Sequence, residues 1–137
     1  MGLILDTSEV VAAERRGHSI LQFLEHVKAI CGETDLGLSV VTIAELVHGA
    51  YRAKSDPERN RRLAFIDRLC QDIPVYPVTL PIARNAGRID GELASRGITL
   101  SFEDVTIGAT ALQLGFDVAT VNIKHFKPIP GLTVISL

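Results

Sequence analysis

The 137-residue sequence predicts a three-layer α/β/α protein with a central, mainly parallel sheet of about four to five strands. Short aliphatic runs alternate with longer segments of helical periodicity, which is typical of strand–helix–strand units with crossover connections. Hydrophobic residues make up 47% of the chain, enough for a buried core, and the formal net charge is only -2. We therefore expect residues 1–137 to form one domain, with any contact to nucleic acid made through a local patch or a bound metal.

The N-terminal half is predicted to begin with a short buried strand. Three aliphatic residues, Leu3 to Leu5, run into Asp6, and Ser8 then offers an N-cap for a first helix that Gly17 ends. The next elements follow in order: a helix from Ile20 to Cys31, a strand from Leu36 to Val41, a helix capped by Thr42, and, after a break at Ser55–Glu58, a helix to about Gln71. Most of these boundaries coincide with a capping residue, a glycine or a proline.

The C-terminal half continues the alternation. Pro74 and Pro77 confine a strand at 73–78 to a sheet edge, because proline cannot donate to the ladder. The remaining elements are a helix from Pro81 to Ser95, a helix capped by Ser101 and running through Leu114, a strand at 118–121, a single turn at 122–126 and a last strand at 132–135. The strand count therefore reaches five, in keeping with the predicted sheet.

Composition also predicts the compartment. Cys31 and Cys70 are far apart and lie in segments of apolar periodicity, so we expect buried free thiols in a reducing environment. The N-terminus lacks the basic and apolar regions of a secretory signal. No apolar run approaches the roughly 20 residues that span a bilayer. We expect a cytoplasmic protein without a membrane segment.

Four polar residues stand where a predicted strand ends or a helix begins: Asp6, Glu45, Asp104 and Asn122. In parallel sheets such positions share one edge, where ligands of open α/β folds bind. Carboxylates gathered there repel one another unless a cation lies among them, and oxygen ligands favour Mg²⁺ or Mn²⁺. Carboxylate-bound Mg²⁺ activates water for phosphodiester cleavage. The pattern therefore indicates a metal-dependent hydrolase.

The same residues also have a purely structural explanation. Thr42-x-x-Glu45 and Ser101-x-x-Asp104 both fit a capping box, in which the third helical residue bonds back to the cap amide. Asn122 fits a simple N-cap. Under this alternative the chain is a non-catalytic binding module whose acids only stabilise helix starts.

Two further patterns lie on helices. Asp90 and Glu92 flank an apolar stripe on opposite sides, so at most one of them points into a given cleft. Glu45-x-x-His48 matches half of a di-iron helical motif, but the second copy that such a site requires is missing. Neither pattern assigns a function without further information.

Four motifs occur in the chain in a fixed order: Leu3–Ser8, Ser39–Leu46, Glu103–Ala111 and Thr120–Phe126. Together they resemble the PIN domain, and specifically the VapC-type toxins of bacterial and archaeal toxin–antitoxin pairs. The resemblance covers essentially the whole chain. It implies a PIN-like fold and Mg²⁺- or Mn²⁺-dependent endonucleolytic cleavage of structured RNA, often tRNA or ribosomal RNA.

The resemblance also implies roles for individual residues. It places the metal-binding acids of the family on Asp6, Glu45 and Asp104, and its fourth catalytic position on Asn122, where many PIN nucleases carry an acid. The residues expected to assist are Thr7, Ser8 and Thr120, which would orient ligands, and Glu92, which is preferred to Asp90 as an auxiliary acid.

Partners follow from the same resemblance. VapC-type toxins usually form homodimers and are inhibited by a VapB-like antitoxin whose tail lies across the helices near Glu45. The predicted function is therefore an endoribonuclease toxin with an RNA substrate and a VapB-like partner. The alternatives are a PIN-type nuclease in RNA processing or DNA cleavage without a toxin role, and a non-catalytic RNA-binding module.

Overall fold

The computed structural model describes all 137 residues and contains five strands and seven helices. The strands are β1 (Gly2–Leu5), β2 (Asp35–Ser39), β3 (Val75–Tyr76), β4 (Asp117–Ala119) and β5 (Val134–Ile135). The helices are α1 (Thr7–Arg15), α2 (Ile20–Cys31), α3 (Val40–Tyr51), α4 (Asp56–Asp72), α5 (Leu80–Ser95), α6 (Phe102–Leu114) and α7 (Ile123–Phe126). None of these helices combines the length and the apolar character that a membrane crossing requires.

All five strands pair in parallel, in the order β3-β2-β1-β4-β5. The central strand β1 pairs with β2 through Ile4 and Gly37, and with β4 through Leu5 and Ala119. The chain moves outward from β1 to β3 and then returns to build β4 and β5 on the other side. Strand order therefore reverses between β1 and β4, and such a switch point opens a crevice at the carboxyl ends of the strands.

Two hydrophobic clusters cover the two faces of the sheet. Because side chains alternate along a strand, Leu3 and Leu5 enter one cluster and Ile4 enters the other. The first cluster includes Phe23 of α2 and residues of α1 and α4, and the second includes Ile89 of α5 and residues of α6 and α7. Helices thus pack on both faces, which confirms the predicted α/β/α layers and the edge position of β3.

Helix α3 begins earlier than the sequence predicts. Ser39 is its N-cap, and the Ser39 hydroxyl accepts a hydrogen bond of 3.1 Å from the amide of Val41. The predicted N-cap at Thr42 is therefore wrong, and β2 ends at Ser39 instead of Val41. The β-branched pair Val40–Val41 favours a strand by propensity, but a serine at the strand end already supplies a cap, and packing overrides the propensity.

Two other predictions need correction. Helix α1 begins at Thr7 with Asp6 in the N-cap position, so Ser8 is not the cap, and its hydroxyl donates to Asp6 instead. Both cysteines are free as expected, but Cys70 is exposed and Cys31 is only partly buried, so the prediction of buried thiols is wrong. Helix α4 buries only Ile66 and Leu69, a stripe too narrow to include its cysteine.

Candidate active site

The carboxylate of Asp6 lies at the switch point, immediately after β1, and only 4% of the residue is exposed. Its Oδ2 atom accepts two hydrogen bonds, one of 2.6 Å from the Ser8 hydroxyl and one of 2.9 Å from the Thr120 hydroxyl. No protein group donates to Oδ1. Two hydroxyls thus fix the orientation of this carboxylate while one oxygen stays available to a ligand.

The same hydroxyls tie the ends of β1 and β4 together. The oxygens of Ser8 and Thr120 lie 3.2 Å apart, and the backbone amide of Val121 donates to Ser8 Oγ over 3.2 Å. The amide of Asn122 donates to Thr120 Oγ1 over 2.9 Å. This last bond turns the chain after β4, which explains why the strand ends before the predicted residue 121.

Thr7 positions the second acid. The Thr7 hydroxyl donates a 2.7 Å hydrogen bond to Oε1 of Glu45 and lies 3.0 Å from the hydroxyl of Thr42. Thr42 is fully buried and contacts Thr7 with its hydroxyl, so it does not cap a helix. The capping-box explanation of Glu45 is therefore wrong, and its carboxylate is held toward α1.

Asp104 occupies the first turn of α6. The Ser101 hydroxyl accepts a 3.1 Å hydrogen bond from the Asp104 amide, which confirms Ser101 as the N-cap. The reciprocal bond from the Ser101 amide to the Asp104 side chain is absent, so the capping box is only half formed. Instead, Oδ2 of Asp104 lies 3.5 Å from Nδ1 of His125.

The acids form one electrostatic cluster. Burial raises the pKa of Glu45, and the negative charges of Asp6, Glu103 and Asp104 add to this, against the hydrogen bond from Thr7. The pKa of Asp104 is likewise raised, first by burial and then by Asp6. Among the charged neighbours, Asp6 raises the pKa of both Glu45 and Asp104 the most, so its charge acts on both of the other acids.

Two residues of this site were not predicted. Glu103 contributes to the pKa of both Glu45 and Asp104, and its position beside Asp104 in the first turn of α6 was the available signal. His125 faces Asp104 because α7 folds back over α6, and no local pattern in the sequence indicates this contact.

Asn122 and Glu92 differ from the other predicted residues. Asn122 is exposed in the N-cap position of α7, and its side chain makes no cap hydrogen bond, so the side-chain amide is available to a ligand.

Glu92 instead pairs with Arg88 over 3.0 Å, and no hydrogen bond or ion pair joins it to Asp6, Glu45 or Asp104. Asp90 is also exposed. The auxiliary role of Glu92 stays a prediction.

The donor set suits a hard cation. Every candidate ligand is an oxygen, Oδ1 of Asp6 has no protein donor, and clustered negative charge would be relieved by a cation. No group of three acidic, histidine or cysteine side chains stands close enough to enclose an ion. Mg²⁺ retains several waters and needs only one or two protein carboxylates besides substrate phosphate. The open arrangement thus fits Mg²⁺ or Mn²⁺ better than a closed zinc site.

Glu9 is a buried acid one helical turn after Asp6. Only 1% of the residue is exposed, and its Oε2 atom has no hydrogen-bond partner. Burial raises the pKa of Glu9, the backbone of Leu137 and the charge of Arg16 lower it, and the charge of Asp6 raises it further. The net shift is upward from the ordinary value of 4.5.

This shift predicts how stability depends on pH. The folded state holds the Glu9 proton at pH values where the unfolded chain has lost it, so stability falls as pH rises above about 4.5. Glu9→Gln removes this loss because glutamine cannot ionise. We expect the stability of Glu9→Gln relative to the parent to increase between pH 4 and pH 8. Urea denaturation across this range measures the difference, with the exposed Glu25→Gln as control. A difference independent of pH would contradict the prediction.

Comparison with known proteins identifies similar sequences over the whole chain. A family model described as PIN domain matches residues 3–131. Ribonuclease VapC1 of Rickettsia felis is 32% identical over 137 residues, covering 100% of this chain and 97% of that protein. The tRNA(fMet)-specific endonuclease VapC of Salmonella typhimurium is 32% identical over 97 residues, or 71% of each chain. The crystal structure of VapBC2 from Rickettsia felis, bound to a DNA fragment from its promoter, superposes with a TM-score of 0.86 at 20% identity, covering 100% of this chain and 99% of that one.

Proposed function

The chain belongs to the PIN-domain family and, within it, to the VapC ribonucleases, and from this premise we propose that it is a metal-dependent endoribonuclease toxin of a toxin–antitoxin pair. The observation that carries the proposal is the cluster of Asp6, Glu45 and Asp104 at the carboxyl end of the sheet, beside its switch point. The proposed substrate is structured RNA, either tRNA or ribosomal RNA. The name of the Salmonella relative, which is specific for tRNA(fMet), supports this substrate class.

The proposed mechanism gives each residue a role. Asp6, Glu45 and Asp104 would hold Mg²⁺ or Mn²⁺, directly or through water. When bound, such an ion stabilises charge on the phosphoryl oxygen and activates a water nucleophile. The hydroxyls of Ser8 and Thr120 hold the Asp6 carboxylate in place, and the Thr7 hydroxyl holds that of Glu45. The free side-chain amide of Asn122 would position water or a metal ligand.

Charge explains why RNA cleavage should depend on a cation. The negatively charged cluster of Asp6, Glu45 and Asp104 repels the RNA phosphate that it must contact. Removal of the metal leaves this repulsion uncompensated. In-line attack by water would leave a 5′-phosphate and a 3′-hydroxyl. We expect EDTA to abolish cleavage of a tRNA pool by the purified protein, and Mg²⁺ or Mn²⁺ to restore it.

The matching variant is Glu45→Gln, which keeps the size of the side chain but removes its charge. We expect a rate loss of at least about 10-fold, because residues that only support metal ligands already have effects of roughly 10- to 100-fold. Glu25→Gln is the control, and Glu92→Gln tests the auxiliary acid. Cleavage that survives both EDTA and Glu45→Gln would contradict the proposal.

We further propose a VapB-like antitoxin as partner. The similarity to the VapBC2 structure supports this partner. A cleft of about 230 Å³ between α1, α3 and α4 opens beside Glu45, and half of its lining residues are hydrophobic, including Val10, Leu46 and Phe65. A peptide tail lying there would block access to Glu45. The homodimer implied by the family stays a prediction.

The alternatives lead to different outcomes. A PIN nuclease without a toxin role would cleave nucleic acid in vitro but would not arrest growth when expressed without an antitoxin. A non-catalytic module would not cleave RNA with any metal. The half-formed box at Ser101 and the absence of a box at Thr42 argue against acids that serve only as caps.

A further inference from the structure

A second cleft opens on the other side of Glu45, between α3 and the first turn of α6. Its volume is about 540 Å³, and six residues line it: Val41, Ala44, Glu45, His48, Phe102 and Glu103. The four α3 residues are spaced i, i+3, i+4 and i+7 and therefore form one face of that helix. Glu45 is part of this wall and also part of the acidic cluster, so the cleft is continuous with the candidate active site.

Phe102 dominates one side of this cleft. It is 68% exposed, although it directly follows the N-cap Ser101. The aromatic pairs in the protein are His18 with His26 and Tyr76 with Phe116, so the Phe102 ring has no aromatic partner. Its carbonyl accepts a 2.7 Å hydrogen bond from the Thr106 hydroxyl, which anchors the backbone beneath the ring. The protein therefore presents a flat apolar surface on a rigid helix start.

The lining combines this surface with groups that form hydrogen bonds. Val41 and Ala44 extend the apolar wall, whereas His48 and Glu103 supply polar edges. Proteins recognise unpaired RNA bases in this way, by stacking on an aromatic ring and by hydrogen bonds to the base edge. The volume also lies within the range of roughly 300–1,000 Å³ found for small-ligand pockets.

We infer that this cleft binds one unpaired RNA base, stacked on Phe102, next to the phosphodiester that the acidic cluster cleaves. The inference rests on the proposed ribonuclease function and adds a base-binding subsite to it. It also explains the Glu45-x-x-His48 spacing, which places His48 one helical turn from Glu45 on the same face, at the edge of the bound base. RNA that is single-stranded or looped at the cleaved position is then the preferred substrate.

The lining favours a base over a protein partner. Only one aromatic and two small aliphatic side chains contribute apolar surface to this cleft. A folded protein partner would bury about 800 Å² on each side, so it would need surface well beyond these six residues. A single base, by contrast, needs only one ring face and a polar edge.

The test measures binding of a fluorescein-labelled single-stranded oligoribonucleotide of mixed sequence by fluorescence anisotropy at constant salt. Every protein in this test carries Asp6→Asn so that the RNA stays intact. We expect Phe102→Ala to weaken binding about tenfold and Phe102→Trp to restore it, because base stacking on an aromatic ring contributes a free energy of this size. In the protein with Asp6 intact, Phe102→Ala should raise KM and leave kcat largely unchanged.

Abasic substitutions in the oligonucleotide locate the base. One position should weaken binding when Phe102 is present and have no further effect in Phe102→Ala, since both changes remove the same stacking contact. Leu80→Ala is the matched control. Leu80 is also the first residue after an N-cap and is 69% exposed, but the start of α5 lies near the opposite end of α6.

The possible results distinguish a failure of the base-binding subsite alone from a failure of the proposed ribonuclease function. Cleavage by the parent protein together with unchanged binding by Phe102→Ala would overturn the subsite alone. Absence of RNA binding and cleavage in the parent would overturn both the function and the subsite. A change in oligomeric mass of Phe102→Ala, measured by light scattering, would assign Phe102 to a subunit interface and overturn its role in RNA binding.

Discussion

Asp6→Asn is expected to reduce RNA cleavage at least 100-fold while the protein stays folded. Asp6 is the strongest charged neighbour of both Glu45 and Asp104, and one of its oxygens is free for a cation. Asparagine keeps the shape of the side chain but removes a full charge from the ligand set. Changes to residues that only support metal ligands already cost roughly 10- to 100-fold, so loss of a ligand charge should cost more.

Two measurements complete this experiment. Metal binding followed by calorimetry should weaken in Asp6→Asn together with cleavage, because the same carboxylate serves both. Asp90→Asn removes the charge of an exposed acid on α5 and should leave cleavage unchanged. Equal activity of Asp6→Asn and Asp90→Asn would remove Asp6 from the site and with it the basis of the proposed mechanism.

Phe126→Ala is expected to destabilise the protein by about 3–5 kcal/mol. Phe126 is completely buried at the end of α7, in the cluster formed by α5, α6 and the sheet. Removing the ring leaves a cavity in a core that cannot fully collapse. The free energy of unfolding of small domains is only about 5–15 kcal/mol. This single change should therefore remove a large part of the stability of the protein. Urea denaturation monitored by circular dichroism measures the loss.

The matched control for this variant is Phe102→Ala, in which the same atoms are removed from an exposed position. Its stability should stay within about 0.5 kcal/mol of the parent. Phe126 also anchors the helix that carries His125, so the milder change Phe126→Leu, which we expect to fold, should weaken the contact between His125 and Asp104. Equal stabilities of Phe102→Ala and Phe126→Ala would contradict the structure.

Several features of the fold could be predicted because they depend on neighbouring residues. Aliphatic runs predicted the five strands, and proline in the third of them predicted an edge position. Ser101 was recognised as a cap because the bond from its hydroxyl spans only three residues. The start of α3 was missed because Ser39 and Thr42 are both suitable caps, and only packing chooses between them.

The acids of the candidate site could be proposed from the sequence, but most contacts between the site residues could not. Asp6 and Asp104 follow from their positions at a strand end and a helix start, which a parallel sheet brings to one edge. Glu45 was predicted at a helix start as well, but it lies in the second turn of α3 because that helix begins at Val40. The free side chain of Asn122 and the contact of His125 with Asp104 depend on how α7 packs, and no local pattern encodes them. The pairing of Glu92 with Arg88 is a local i,i+4 contact within α5, and its spacing was visible in the sequence.

The sequence by itself determined the alternation of strands and helices and the family motifs, and it predicted Asp6, Glu45 and Asp104 as the acids of the site. The resemblance named Thr7 and Thr120 as residues that orient ligands, but only the tertiary structure decided which acid each one contacts. Thr120 holds Asp6 across 114 residues of chain, and Thr7 holds Glu45 across 38. The tertiary structure also decided that Phe102 would remain exposed beside the acids instead of entering the core. The physical reason is the sequence separation over which each interaction acts. Helix caps and hydrophobic periodicity act within one or two helical turns. Side-chain contacts between distant segments exist only after the sheet has assembled.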